Sequence, residues 1–332
     1  MKNFLVTGGY GFIGSHFIKQ QINDNFVVNL DKLTYCANLD NLELIANHKN
    51  YVFVKGDIQN ADLVFEILNK YQIDYLVNFA AESHVDNSIV KPDDFIMTNI
   101  VGTYNLLQSS LKYYKNLDNY KKNNFRFLHV STDEVFGSLE FNEKPFDENS
   151  NYRPNSPYSA SKASSDHLVR AWYKTYNLPV ITTNCSNNFG PNQHQEKLIP
   201  TIIKSCLQNK KIPIYGSGKN IRDWIFVEDH CRGIKLVLEK GKVGDIYLFG
   251  GRYEISNLEL AKKICEILDQ IKPRSDGISY NFQIDFVEDR LGHDLRYSIS
   301  DKKSYNQLGF NISPSFEENL LTTVKFYINC FS

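Results

Sequence analysis

Short runs of β-branched and aromatic residues recur along the first half of the chain, and segments with helical spacing separate them. The runs predict six strands, at 4–7, 26–31, 51–57, 75–81, 125–130 and 179–183. The apolar spacing predicts a helix after Gly14 and further helices at 63–68, 100–114 and 159–176. Near-continuous apolar strands that alternate with helices are typical of a parallel sheet covered on both faces. We therefore predict an α/β fold, a Rossmann-type doubly wound sheet.

The pattern changes after about residue 185, where prolines and short elements dominate. A βαβ-like piece returns with strands at 224–227 and 246–249 and a helix at 229–238, and we expect it to rejoin the first domain. We predict a dinucleotide-binding domain of residues 1–185 plus about 223–250. A smaller mixed domain of residues 186–222 plus about 251–332 would cover the substrate.

Composition excludes several classes of function. The 332 residues carry 37 Lys and Arg against 38 Asp and Glu, a net charge of −1, so we expect no nucleic-acid partner. No apolar run reaches the roughly 18–20 residues of a membrane span, and the N-terminus does not resemble a signal peptide. The six irregularly spaced cysteines indicate reduced thiols in a cytoplasmic protein. His194 and Glu196 match the H-x-E of zinc deaminases, but no C-x-x-C follows, so we predict no metal site.

Three glycines, Gly8, Gly11 and Gly14, lie between the first strand and the first helix. Glycine permits a tight turn and lets backbone N–H groups approach a pyrophosphate at the helix N-terminus. A plain turn would also explain three glycines, but Asp31 ends the next strand, where a carboxylate binds ribose hydroxyls and repels a 2′-phosphate. The pattern predicts NAD rather than NADP as the cofactor.

Tyr158 and Lys162 lie one turn apart on a predicted helix. Such a pair is often only a surface pair. After a strand that ends in hydroxyl groups, at Ser131 and Thr132, it suits a phenolate base, because the ammonium and a positive nicotinamide ring would lower the pKa of the phenol. Thr132 or Ser131 would then bind the reacting hydroxyl.

Asp133 and Glu134 follow the same strand end. Adjacent acids past a strand are commonly a solvated turn. This strand end should face the cofactor, where one acid and one base are both useful to catalysis. Both interpretations stay open on the residues alone.

The second half offers polar side chains that suit a sugar nucleotide, and arginine binds phosphate oxygens bidentately. From spacing alone each is equally an ordinary surface residue. They are Lys197, Tyr215, Arg222, Asn257, Arg290 and His293.

The chain resembles the extended short-chain dehydrogenase/reductase family, and within it the branch of dTDP-glucose 4,6-dehydratases. The matching stretches cover nearly the whole chain in order. They are TGGYGFIGS (7–15), LDKLTY (30–35), AAESHVDNSI (80–89), STDEVFG (131–137), PYSASKASSDHLVRAWYKTY (157–176), NCSNNFGPNQ (184–193), EKLIP (196–200), IYGSGKNIRDWIFVEDH (214–230) and EDRLGHDLRY (288–297).

The resemblance implies a role for each matching residue. Thr132, Tyr158 and Lys162 would oxidise the sugar, and Asp133 and Glu134 would be the acid and base of water elimination. The implied NAD contacts are Gly8, Gly11, Phe12, Ile13, Gly14, Asp31, Lys32, Thr34, Asp57, Ile58, Ala80, Ala81, Ser83, Asn99, Tyr158 and Lys162. The implied substrate contacts are Ser83, Thr132, Asn187, Glu196, Lys197, Leu198, Tyr215, Arg222, Asn257, Arg290 and His293. A homodimer through helices around 99–114 and 159–176 is also implied.

Three positions depart from the family pattern: Phe136 replaces a common Tyr, Tyr10 a small residue and Leu291 a Pro. The first two remove no group that the chemistry uses. Leu291 lies between Arg290 and His293 and makes those two assignments depend on how the loop folds.

The resemblance implies a hydro-lyase that oxidises C4 of dTDP-glucose, eliminates water across C5 and C6, and returns the hydride to C6. A 4,6-dehydratase for another nucleotide sugar is one alternative. A UDP-sugar 4-epimerase or decarboxylase is a second, but neither needs an acid pair after Thr132. A non-catalytic NAD sensor is a third, and it would have no use for Tyr158, Lys162 and the acids together.

Cofactor choice should depend on Asp31. We expect NAD to bind roughly tenfold or more tightly than NADP, because the carboxylate repels the 2′-phosphate. Asp31→Ala should narrow that gap in fluorescence titrations of the two cofactors. Equal affinities in the unsubstituted protein would contradict this role of Asp31.

Overall fold

A seven-stranded sheet forms the centre of the computed structural model, which describes residues 1–313 and 315–331. Every strand pair in the sheet is parallel, and the strand order is β10-β6-β5-β4-β1-β2-β3. Its strands are β1 (Asn3–Thr7), β2 (Phe26–Asp31), β3 (Tyr51–Lys55), β4 (Tyr75–Asn78), β5 (Arg126–Thr132), β6 (Val180–Cys185) and β10 (Ile246–Phe249). The predicted Rossmann-type doubly wound sheet is confirmed.

Twelve α-helices lie within the described residues, together with 3₁₀ turns at Leu39–Ile45, Asp133–Phe136 and Tyr280–Gln283 and a π-helical turn at Ile96–Gly102. The helices are α1 (Phe12–Gln21), α2 (Ala61–Lys70), α3 (Val85–Val90), α4 (Asp93–Phe95), α5 (Thr103–Asn116), α6 (Asn119–Asn124), α7 (Pro157–Tyr176), α8 (Leu198–Leu207), α9 (Val227–Lys240), α10 (Asn257–Ile271), α11 (Lys302–Leu308) and α12 (Phe316–Phe331).

Apolar residues cover both faces of the sheet. On one face, Phe17 of α1 and Ile234 of α9 join a buried core with strand residues. On the other face, Val64 of α2, Leu107 of α5 and Val169 of α7 form a second core. Because both faces are buried, the strands read as continuous apolar runs, which is why they were visible in the sequence.

Two smaller sheets lie outside the central one. One contains β7 (Asn187–Phe189), β9 (Ile221–Phe226) and β11 (Glu254–Ser256), and the other pairs β8 (Ile212–Tyr215) with β12 (Ile284–Val287). They mix parallel and antiparallel pairs and share a third core with α8, α10 and α12.

The piece predicted to rejoin the first domain divides between two sheets. Helix α9 and strand β10 do pack with the central sheet, whereas β9 pairs with β7 and β11. The strand predicted at 224–227 therefore pairs outside the central sheet. Residue spacing reveals a buried strand but does not say which neighbour it pairs with. The two-domain boundaries stay a prediction.

The central sheet reverses its strand order between β1 and β4. The chain runs outward from β1 through β2 to β3 on one side, and from β4 through β5 and β6 to β10 on the other. Ligands of doubly wound sheets bind at such a point, beyond the carboxyl ends of the strands. Gly8, Ala80 and Thr132 lie at those ends.

Across residues 1–313 and 315–331, none of the helices is both long enough and apolar enough to span a membrane.

Candidate active site

The turn after β1 depends on glycine. Gly8 has φ +71°, the left-handed region that side chains disfavour, and a Cβ there would approach the backbone of Ala80. The N–H of Gly11 donates to the carbonyl of Gly8 at 3.1 Å, and α1 begins at Phe12. A Cβ on Gly14 would overlap the same carbonyl. The helix N-terminus thus sits close to the end of β4 and suits an anion such as a pyrophosphate.

The carboxylate of Asp31 is part of this turn. It accepts hydrogen bonds from the N–H groups of Tyr10 at 2.9 Å and Leu33 at 2.8 Å. Burial raises the pKa of Asp31, and these two bonds and the charge of Lys32 oppose that effect. Asp31 therefore has a structural role in addition to the predicted contact with ribose.

A cleft of about 300 Å³ opens above the carboxyl ends of the strands. It brings together most of the predicted cofactor residues, although they come from distant parts of the sequence. Those that line it are Gly8, Gly11, Phe12, Ile13, Gly14, Asp31, Lys32, Thr34, Asp57, Ile58, Ala80, Ala81, Ser83, Tyr158 and Lys162.

Asn99 is the exception among the predicted cofactor residues. Its side chain is buried and donates to the carbonyl of Glu82 at 3.0 Å and to Ser161 Oγ at 2.8 Å, and it accepts from the N–H of Glu82 at 2.9 Å. It joins the loop after β4 to α7 and does not line the cleft. We assign it a supporting role behind the cofactor site.

Strand β5 ends in the 3₁₀ turn that presents Asp133 and Glu134. Thr132 Oγ1 donates to Asp133 Oδ1 at 3.2 Å and accepts from the N–H of Glu134 at 3.3 Å. Ser159, on α7, donates to Glu134 Oε2 at 3.2 Å. Thr132, Asp133, Glu134 and Tyr158 all line the cleft, so the acids face a ligand site and are not a solvated turn.

The two acids lie in different electrostatic surroundings. Burial raises the pKa of Asp133 well above its usual value, and the charges of Glu134 and Asp223 raise it further. Burial also raises the pKa of Glu134, but the cations Arg290, Arg222 and Lys197 act against that rise. Pairs of carboxyl groups whose surroundings separate their pKa values commonly divide into an acid and a base. Asp133 suits the acid and Glu134 the base.

Tyr158 and Lys162 face the cleft, but not with the predicted electrostatics. Burial raises the pKa of Tyr158 well above 10, and the charge of Glu134 raises it further. Lys162 Nζ donates to the carbonyl of Val130 at 2.9 Å, and burial lowers the pKa of Lys162. The prediction that Lys162 lowers the pKa of Tyr158 is therefore not met by the protein groups acting alone.

A buried carboxylate, Asp166, lies behind the catalytic strand end. Asp166 Oδ2 accepts from Ser131 Oγ at 2.8 Å, from the hydroxyl of Tyr152 at 2.9 Å and from Asn184 Nδ2 at 3.3 Å. Asn184 also donates to the carbonyl of Thr132 at 2.9 Å. This network fixes the end of β5 and uses Ser131 as an anchor.

The predicted substrate residues divide into two groups. Ser83, Thr132, Asn187, Glu196 and Lys197 line the cleft. The other predicted substrate residues do not line it: Leu198, Tyr215, Arg222, Asn257, Arg290 and His293.

Asp86 of α3 joins two residues from the second half of the chain to the segment that follows β4. The hydroxyl of Tyr215 donates to Asp86 Oδ2 at 3.3 Å, and Arg290 lies 3.7 Å from Asp86 Oδ1. The imidazole of His293 packs edge-on against Tyr215. Arg222 is buried over the ring of Tyr297. Its positive charge interacts with the carboxyl groups of Glu134 and Asp133. Leu198 and Asn257 are the first residues of α8 and α10.

Sequence reasoning assigned no site role to several polar residues that line the cleft, among them Cys36, Glu82, Asn188 and His194. Cys36 Sγ lies 3.7 Å from Glu196 Oε1, although 160 positions separate them in the chain. Burial raises the pKa of Cys36 to about 11, so it stays a thiol at neutral pH. No local signal reveals such a contact, because it depends on how two distant loops meet.

Comparison with known proteins agrees with this geometry. The model of the family described as GDP-mannose 4,6 dehydratase matches residues 5–323. The dTDP-glucose 4,6-dehydratase of Haemophilus influenzae is 51% identical over an alignment of 332 positions, which covers 99% of this chain and 98% of that protein. The crystal structure of the dTDP-glucose 4,6-dehydratase of Streptomyces venezuelae, with NAD bound, is 42% identical with a TM-score of 0.89, over 98% of this chain and 97% of that chain.

Proteins with other activities share this fold. The UDP-glucose 4-epimerase of Thermotoga maritima gives a TM-score of 0.86 at 26% identity, over 99% of this chain and 100% of that chain. Fold similarity does not separate the two reactions, and the argument depends on the residues in the cleft.

The buried charge of Asp133 should lower the stability of the folded protein. Its folded pKa is raised above the unfolded value, so the destabilisation is present at pH values above the folded pKa. It fades as pH falls through the folded pKa towards about 4, where the unfolded group also takes up a proton. We expect Asp133→Asn to raise the urea midpoint at pH 8, and the gain to shrink as pH is lowered towards 5.

Asp24→Asn is the matched control, because Asp24 is an exposed aspartate. It should leave the midpoint nearly unchanged at every pH. An Asp133→Asn midpoint that is no higher than that of the unsubstituted protein at pH 8 would show that the buried carboxylate carries no electrostatic cost.

Proposed function

The chain belongs to the dTDP-glucose 4,6-dehydratase family, and we propose that it converts dTDP-D-glucose into dTDP-4-dehydro-6-deoxy-D-glucose and water with bound NAD. One observation carries the proposal: the cleft places the acid pair Asp133–Glu134 beside Tyr158, at the end of the strand that faces the glycine turn. The net redox change is zero, so one bound cofactor serves every turnover.

The residues around the cleft fit NAD. The tight approach of Gly8 to Ala80 and the glycine at position 14 leave room for a pyrophosphate at the start of α1, and Asp31 lies at the end of β2. NAD, when bound, supplies the acceptor for the hydride of C4 and its donor to C6.

Oxidation at C4 uses Tyr158 as the base for the 4-hydroxyl proton, with Thr132 as the hydroxyl that orients the sugar. Burial and Glu134 raise the pKa of Tyr158, so the positive nicotinamide ring has to contribute to its activation. Lys162 positions the end of β5 through its bond to the carbonyl of Val130. Its ammonium adds positive charge on the same helix.

Elimination uses the two acids in opposite senses. The new 4-ketone acidifies the proton on C5, and Glu134 removes that proton. Asp133 protonates the departing 6-hydroxyl, which suits a group whose pKa is raised by burial and by its acidic neighbours. The hydride then reaches C6, and C5 is reprotonated.

The three cations from the second half of the chain serve two purposes in this proposal. Arg222, Arg290 and Lys197 oppose the rise in the pKa of Glu134. The same positive charge attracts the diphosphate of the sugar nucleotide. Lys197 Nζ donates to the carbonyl of Ser83 at 2.8 Å, which joins the second half of the chain to the cleft.

The alternatives account less well for the cleft. A UDP-sugar 4-epimerase shares the fold, but its reaction needs no acid and base pair after Thr132. A 4,6-dehydratase for a different nucleotide sugar would use the same two acids and would differ only where it recognises the nucleobase of its substrate. A non-catalytic NAD sensor would need neither acid.

We also propose that the protein is a cytoplasmic homodimer. Helices α5 and α7 pack side by side, with Tyr104 against Trp172. Large apolar side chains are exposed on or beside these two helices, which supports an interface there. They are Ile96, Met97, Tyr104 and Tyr176.

Hydride transfer should be internal to one sugar. dTDP-glucose deuterated at C4 should give product deuterated at C6, and reaction in heavy water should label C5. Mass spectrometry and NMR of the product make both measurements. Loss of the C4 deuterium to solvent, or a 4-epimer as product, would overturn the proposed cycle.

Substitutions should separate oxidation from elimination. Tyr158→Phe removes the first base, so neither reduced cofactor nor product should accumulate. Asp133→Asn and Glu134→Gln keep the shapes of the side chains but block elimination, so reduced cofactor should appear at 340 nm in a single turnover. Each should lower overall turnover by roughly 10²–10⁴. The losses should not multiply in the double variant, since both acids serve one event.

Glu140→Gln is the matched control, because Glu140 is an exposed glutamate six residues beyond Glu134. It should retain turnover close to that of the unsubstituted enzyme. Near-normal turnover of Asp133→Asn and Glu134→Gln would move the 4-epimerase ahead of the dehydratase.

A further inference from the structure

Three potential metal ligands from two distant loops meet at the edge of the cleft. Cys36 follows β2, and His194 and Glu196 precede α8. Cys36 Sγ lies 3.7 Å from Glu196 Oε1, and His194 Nδ1 lies 3.5 Å from Glu196 Oε2. One ligand atom from each of the three residues falls within 4.8 Å of the other two.

These separations suit a tetrahedral ion. Zinc binds Cys sulfur at about 2.3 Å, His nitrogen at about 2.0–2.1 Å and carboxylate oxygen at about 2.0–2.2 Å. Two such ligands at a tetrahedral angle lie about 3.3–3.7 Å apart. Cys36 Sγ lies at such a distance from Oε1 of Glu196 and His194 Nδ1 from its Oε2, so each carboxylate oxygen faces one of the other two ligands. A set with one sulfur, one nitrogen and one oxygen favours Zn²⁺ over the hard ions Ca²⁺ and Mg²⁺, which prefer oxygen alone.

Glu196 Oε1 accepts hydrogen bonds from Cys36 Sγ at 3.7 Å and from the hydroxyl of Tyr35 at 3.3 Å, and a metal ion would replace the first of them. Among residues 1–313 and 315–331, the buried Nδ1 atom of His194 has no hydrogen-bond partner, although it is directed at Glu196. The three residues are all half-buried, so an ion there would be partly shielded from water and still reachable from the cleft. Within the same described ranges, no other group of three such residues comes together in this way.

We propose that Cys36, His194 and Glu196 bind one Zn²⁺ ion, with the fourth position open to water or to a ligand in the cleft. Catalytic and regulatory zinc sites commonly have three protein ligands and one such open position. The bound ion would join the loop after β2 to the loop before α8. The linear sequence argued against a metal because no C-x-x-C follows His194, whereas the sulfur comes from the other loop.

Zinc at this position would inhibit turnover. Glu196 would be held by the ion, and its neighbour Lys197 lies on the same loop and binds the carbonyl of Ser83. This part of the inference rests on the proposed function, in which Glu196 and Lys197 contact the sugar nucleotide. The proposal that the three residues bind zinc does not depend on the proposed function.

Direct zinc binding tests the site. Protein stripped with EDTA and freed of the chelator should take up one equivalent of Zn²⁺ in competition with a chromophoric chelator. Cys36→Ser and His194→Gln should each weaken binding by roughly tenfold or more, since one of three protein ligands is lost. Cys330→Ser is the matched control, because Cys330 is an exposed thiol away from the cluster, and it should leave the affinity unchanged.

Cobalt provides a ligand-specific signature. Co²⁺ in the same site should show thiolate-to-metal absorption in the near ultraviolet, and Cys36→Ser should abolish it while circular dichroism confirms that the variant is folded. Binding of Zn²⁺ that is equally tight in Cys36→Ser, or Co²⁺ spectra without the thiolate band, would overturn the site.

Turnover of dTDP-glucose separates the two parts of the inference. Stoichiometric Zn²⁺ should lower turnover of the stripped enzyme, and Cys36→Ser should be less sensitive to zinc than Cys330→Ser. Binding without any loss of turnover would overturn the inhibitory role. Absence of turnover in the stripped enzyme, with zinc binding intact, would instead contradict the proposed function.

Discussion

The withdrawal of two neighbouring carboxyl groups from water, Asp133 fully and Glu134 in part, is the constraint on which the rest of the site depends. Removing one charge from water is costly, and placing a second beside it increases the cost. The chain meets this constraint by giving the acids different partners. Asp133 has acidic neighbours that favour its protonated form, and Glu134 has three cations that favour its ionised form.

Those cations explain why the second half of the chain is needed for chemistry that begins on β5. Lys197, Arg222 and Arg290 all follow residue 185, whereas both acids precede it. Arg222 is held by bonds to the carbonyls of Ile221 and Asp294 and by the ring of Tyr297. A side chain fixed in this way has little freedom to move its charge away from Glu134, so its effect on the pKa of Glu134 is built into the fold.

Much of this arrangement was predictable from the sequence, because some of its causes are local. Strands 26–31 and 246–249 were predicted with the bounds that the structure has, since a strand buried on both faces is a continuous apolar run. The glycine turn was equally visible. The partner of β9, the inward direction of Asn99 and the contact of Cys36 with Glu196 depend on tertiary packing, and no spacing rule gives them. The rise in the pKa of Tyr158 also depends on tertiary packing, because it comes from burial and from the position of Glu134.

The path of the chain has a consequence for biosynthesis. Six strands of the central sheet are complete by residue 185, but the seventh, β10, is made only after the chain has left the sheet and formed β7, β8 and β9. Until residues 246–249 emerge from the ribosome, β6 is an open edge whose backbone groups are free to pair with another strand. A nascent chain at this stage has a nearly complete nucleotide-binding sheet with one unpaired edge strand. Protection by chaperones during translation, or a fast passage through this interval, would matter more for this topology than for a sheet closed by consecutive strands.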